Sequence, residues 1–177
     1  LLKDCFLTMK LFGSKVAFLP LGGSGKDWQQ EGCAAYQQMV SRLRTAGEMA
    51  KQEGITIGIR TGMGAKFDKK LLKKVGSSQI KVYYNFQDAA DHHRDICKEL
   101  RKLGAQRIVQ IHASNTDSVN LQEDPEINLP KIRKTLDKMK WSGWLVVERS
   151  RDVKRVRDVK YNFGRNIAYL KQVFQER

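Results

Sequence analysis

The chain is short of the residues that punctuate or cross-link a fold. It holds three prolines in 177 residues, and no Pro-rich or low-complexity stretch divides it, so a single domain over residues 1–177 is expected. Its three cysteines, Cys5, Cys33 and Cys97, are odd in number, widely spaced and form no CxxC. That excludes a disulfide framework and a cysteine zinc site, and suits a reducing compartment such as the cytoplasm. No run approaches the ~20 apolar residues of a membrane span, so no membrane partner is expected. The opening LLKDCFLTMKLFG carries charges and lacks a small-residue cleavage site. It reads as an amphipathic helix with Leu2, Phe6, Leu7, Met9 and Leu11 on its apolar face, not as a signal peptide. Acidic residues are scarce too: 19 Asp+Glu stand against 33 Lys+Arg, a net charge of +14. Such a field attracts nucleic acid or another polyanion non-specifically, and serves anionic substrates equally well.

What the chain does have is a repeated alternation of short apolar strands and helices. Five units are readable. Strands are expected at Lys15–Leu19, Ile55–Arg60, Ile80–Asn85, Arg107–His112 and Trp144–Glu148. The helices after them fall near 31–53, 69–75, 89–103, 129–140 and 163–174. Glycines in EGIT, LGAQRI and WSGW follow helical stretches, where a left-handed cap is favoured. Pro130 sits where a first helical turn tolerates it. The pattern implies an α/β fold with a parallel sheet of about five strands and flanking helices.

Four strands end on polar residues: Arg60, Asn85, His112 and Glu148. Loops open at the C-terminal ends of parallel strands, and chemistry collects there. These four residues are therefore expected to converge.

The segments GITIGIRTG, IKVYYNFQDAA, RIVQIHASNTD, LPKIRKTLDKMKWSGWLVVERSRD and NFGRNIAYLK resemble, in order and spacing, the sugar phosphate isomerase/epimerase family, the xylose isomerase-like TIM barrels. The similarity runs from about Val16 to Phe174. Its most specific part is a helix, an aromatic-x-Gly-aromatic turn and an apolar strand ending in Glu. The resemblance implies that the five units correspond to the last five of eight. A complete barrel takes ~250 residues, so a partial barrel is expected, with a flavodoxin-like open sheet as the alternative. The chain also lacks a starting Met, and is expected to be a fragment, a processed product or an engineered partial barrel. Exposed sheet edges would favour self-association.

The resemblance further implies a sugar or sugar phosphate substrate and a divalent metal such as Mn, Co or Mg, held by two Glu, one Asp and one His. In that set one Glu removes a proton beside the carbonyl and the other returns it. This chain places Arg60 where a Glu is implied and Asn85 where an Asp is implied; His112 and Glu148 match. A guanidinium is never a ligand, and the four side chains sum to about zero charge. The metal site is therefore expected to be broken and no cofactor held. Glu148 remains as the catalytic candidate, with Arg60, Asn85 and His112 as substrate-binding candidates. The expected protein is isomerase-like but weak or inactive, with a non-catalytic basic module for polyanions as the rival.

Three other features invite a function and a plainer reading. Gly22–Lys26 is phosphate-friendly, yet it lacks the P-loop spacing and reads as a strand-to-helix turn. Asp88, Asp91 and His92 share helical spacing, which suits a metal less well than a solvated helix start. The run Arg149–Lys160 suits substrate phosphate or a solvated loop. Tyr83, Tyr84, Phe86, Trp141 and Trp144 are expected to pack in the core.

Overall fold

The computed structural model describes residues 2–22, 28, 30–114 and 117–176. Five strands, β1 (Val16–Pro20), β2 (Thr56–Arg60), β3 (Ile80–Asn85), β4 (Ile108–His112) and β5 (Trp144–Val146), form a parallel sheet in sequential order. Seven α-helices accompany them among the described residues: α1 (Leu2–Leu11), α2 (Ala34–Glu53), α3 (Ala65–Val75), α4 (Phe86–Ala90), α5 (Ile96–Leu103), α6 (Leu129–Lys138) and α7 (Val159–Phe174). A sequential parallel order with helical crossovers is barrel topology, not the reversed order of a flavodoxin-like sheet. None of the described helices is long and apolar enough to cross a membrane.

The chain divides into two compact units, Leu1–Tyr83 with Arg107–Val109, and Tyr84–Gln106 with Gln110–Arg177. In the first, α2 buries Tyr36, Val40, Leu43, Gly47 and Ala50, a stripe at helical spacing. That stripe packs with Ile55, Ile57, Ile59, Leu71 and Ile80. Each large aliphatic side chain so buried contributes about 1.5–3 kcal/mol before entropy is subtracted. Gly54 ends α2 at φ 65°, and its N–H reaches back to Ala50 and Lys51. Gly58 on β2 has a different reason: a Cβ there would lie 2.9 Å from Val109 and 3.1 Å from Tyr83.

In the second unit α4 packs on α5, α5 on α6 and α6 on α7. Ile96, Cys97, Leu100 and Leu103 make the buried face of α5. Asn128 caps α6 and Pro130 stands in its first turn, as its φ preference requires.

Several expectations are corrected. The helix expected over 89–103 is two helices. Asp91–Asp95 interrupt it, His93 takes φ 50°, and Asp95 caps a new start by accepting from the Lys98 N–H at 2.9 Å. The strand expected to reach Glu148 ends at Val146. Gly143 does not end α6; Lys140 takes the left-handed conformation at φ 53° instead. On α1 only Phe6 and Met9 are buried, while Leu7 and Leu11 are exposed. Trp144 is 74% exposed on the outermost strand, although Tyr83, Tyr84 and Phe86 are core residues. Residues Gly23–Lys26 of the glycine-rich loop lie outside the described residues.

Candidate functional site

His112 closes β4, Asn85 closes β3, and Glu148 follows β5 by two residues. The register pairs His112 with Val146, so the two strands run side by side into this corner. The Ala113 N–H continues the ladder by donating to the Val146 carbonyl at 2.9 Å. His112 is buried, and its Nδ1 lies 3.2 Å from Glu148 Oε2, whose side chain is 44% exposed. A carboxylate accepts from the Nδ1–H tautomer of the ring, so it is this tautomer that pairs with Glu148.

Asn85 is oriented by the backbone. Its Oδ1 accepts from the Gln87 N–H at 2.8 Å and caps α4. The amide nitrogen is thereby turned toward His112 Nδ1, at a long 3.5 Å. The buried imidazole thus faces a carboxylate closely and an amide more loosely. Such a pair can hold or pass a proton, and a half-exposed carboxylate accepts hydroxyl groups.

Arg60 ends β2 in the first unit, where its carbonyl accepts from the Leu21 N–H at 2.8 Å. Three of the four expected strand-end residues, Asn85, His112 and Glu148, therefore come together in the second unit. Asp88 and His92 do not present a metal cluster: His92 Nδ1 contacts the Asp88 carbonyl at 2.9 Å, in the turn that ends α4. Among the described residues no three His, Cys, Asp or Glu side chains gather as a metal site would need.

The segment after Glu148 is more ordered than its charge pattern suggests. Asp117 accepts from Arg149 Nη2 at 2.8 Å and from Arg151 Nε at 2.8 Å. Hydrogen bonding by Arg151 leads the causes that take the Asp117 pKa down to about 2, against the opposing effect of burial. Arg155 lies 4.5 Å from the centre of the Tyr161 ring. Ser150 takes φ 73° and is fully buried. Its carbonyl accepts from Asn166 at 2.7 Å and from Asn120 at 3.1 Å. Asn162 holds the next turn through the Asp152 N–H and the Arg155 carbonyl. Sequence reasoning missed this stitching. Its one signal was Asn162 and Asn166 at i, i+4, two polar residues on a single face of α7.

The model of the xylose isomerase-like TIM barrel matches residues 1–173. The chain belongs to that family. No curated protein matches it in sequence. Among solved structures, D-psicose 3-epimerase from Clostridium cellulolyticum H10 superposes on this xylose isomerase-like chain with a TM-score of 0.79 at 11% identity, over 99% of this chain and 70% of that one. A 3-keto-D-glucoside 4-epimerase from E. coli gives 0.76 at 10%, over 97% and 69%. An IOLI protein solved with a bound zinc atom gives 0.75 at 14%, over 99% and 69%. Identities this low speak to the fold. The chain spans about two thirds of the length of these proteins.

Proposed function

We propose that this chain is a sugar isomerase/epimerase-like protein that binds a sugar or sugar phosphate at Asn85, His112 and Glu148 without turning it over. The observation that carries the reading is the 3.2 Å pairing of His112 with Glu148 at neighbouring strand ends, in a family whose solved members include epimerases of ketoses and keto-sugars.

The residues present do not fit a divalent cation. The corner supplies one carboxylate, one imidazole and one amide, an anionic charge of one. The amide oxygen is already engaged by the Gln87 N–H, and Glu148 by His112. A hard cation needs several anionic or carbonyl oxygens free to converge. No step is therefore routed through a metal.

Binding needs less. Glu148 accepts from substrate hydroxyls, and the buried His112 paired with it holds that carboxylate in place. Epimerisation needs a base on each face of the carbon beside the carbonyl. Glu148 supplies one, and the residue implied as the second base is Arg60, which stays protonated at neutral pH. Losing one positioned base costs ~10²–10⁴-fold in rate.

The rival reading, a surface for polyanions, draws on the net charge of +14. It is weakened where the charge is densest, because Arg149 and Arg151 are committed to Asp117 and Arg155 stacks on Tyr161. A salt titration of nucleic-acid binding tests that rival.

The direct test is deuterium wash-in from solvent at the carbon beside the carbonyl of D-fructose and D-tagatose, together with ligand-observed NMR for binding. Binding is expected, with no incorporation above background even with added manganese, cobalt or magnesium. Incorporation that disappears in Glu148→Gln would overturn the inactive reading. Absence of binding would overturn the sugar site.

A further inference from the structure

Ser114 is 1% exposed, and its Oγ has no hydrogen-bond partner among the described residues. Buried hydroxyls are nearly always paired, because an unpaired one loses its water and gains nothing in return. An orphan of this kind calls for a physical reason.

Its position supplies one. Ser114 follows His112 by two residues. The ladder runs past β4 through the Ala113 N–H to the Val146 carbonyl at 2.9 Å, so the backbone is still paired as in a strand between the two. An extended chain returns alternate side chains to one face. Ser114 therefore continues the row that His112 occupies, at the end of the sheet where His112 meets Glu148. The Oγ is not paired with His112, so it is not an activated nucleophile of the Ser–His type.

We infer that Ser114 is a substrate-binding residue, whose hydroxyl pairs with an oxygen of a polyhydroxylated ligand held at the His112–Glu148 pair. This rests on the sugar-site reading above. A hydroxyl both donates and accepts, which matches a sugar hydroxyl or carbonyl whichever way that group is turned. An apolar ligand would offer it no partner.

The experiment compares wild type with Ser114→Ala and Ser114→Cys, the second keeping most of the side-chain volume. Kd for D-fructose and D-tagatose is measured by ligand-observed NMR, and Tm by calorimetry. Both variants should raise Kd by roughly fivefold, as the loss of one hydrogen bond does, with Tm unchanged or raised. A Tm lowered by several degrees would mean that the hydroxyl holds the fold, and would overturn the inference. Equal Kd values in wild type and variants would overturn this inference and leave the sugar site standing. A wild type that binds neither ketose overturns the sugar site, and this inference with it.

Discussion

Replacing Asp117 by Asn tests whether the loop behind Glu148 is held by charge. The carboxylate accepts from two guanidinium groups and is only 15% exposed. Its pKa falls from 3.8 to about 2, with the Arg151 hydrogen bond as the leading cause. A carboxyl depressed on folding stabilises the native chain at pH above its unfolded pKa. That contribution drains away as pH drops through the folded value. The window is therefore from just above 3.8 down to about 2. At ~1.36 kcal/mol per unit, the full shift corresponds to roughly 2.4 kcal/mol. Arg149 and Arg151 are 44% and 34% exposed, so solvent screens the pair and about 1 kcal/mol is expected. Urea unfolding of wild type and Asp117→Asn, followed between about pH 6 and pH 2, measures it. The variant should be less stable near neutrality, and the two curves should meet at the acid end. A difference that stays constant across the window would show that the clamp works by shape and refute a role for ionisation.

Further expectations concern the metal, the core and the edges. Protein prepared with manganese or cobalt should carry well under one metal per chain by elemental analysis; stoichiometric metal lost in His112→Ala and Glu148→Gln would refute the donor argument. Gly47→Ala should destabilise by about 1–3 kcal/mol, because the new Cβ would lie 2.3 Å from Ser77 Oγ and 2.7 Å from its Cβ. Adding Ser77→Gly should recover most of that loss in the same denaturation assay, and no recovery would place the cost elsewhere. β1 and β5 stand at the ends of the strand order, and open edges pair with other chains. Light scattering at high micromolar concentration should therefore report self-association, and a strictly monomeric mass would count against it.

The strand positions were legible because short Ile- and Val-rich runs bounded by Gly and polar residues leave little choice of period. β3 matches its expected range to the residue, and β2 and β4 differ only by their first residue. Strand adjacency then made the meeting of His112 with Glu148 readable, since parallel neighbours end side by side. Helix starts were harder, although their signals were there. Asp95 and Asp158 each cap a helix, and each lay inside or just before a run whose periodicity alone placed the boundary elsewhere. The Ser150 turn and its three asparagines could not be read from the sequence. Asn162 and Asn166 at i, i+4 marked a polar face, but their partners Asp152, Ser150 and Leu121 lie 10 to 45 residues away along the chain, beyond the reach of local patterning.

Asn85 gives the corner an evolutionary property. An Asn codon becomes an Asp codon by a single base substitution, and Asp caps a helix about as well as Asn does. The carbonyl oxygen that holds the Gln87 N–H would be replaced by a carboxylate oxygen in the same role. The α4 start would survive the exchange, while the amide turned toward His112 would become a second negative charge. A carboxylate at this corner is thus one base substitution away; the α4 cap would be kept, and the cost would lie in a second negative charge buried near Glu148.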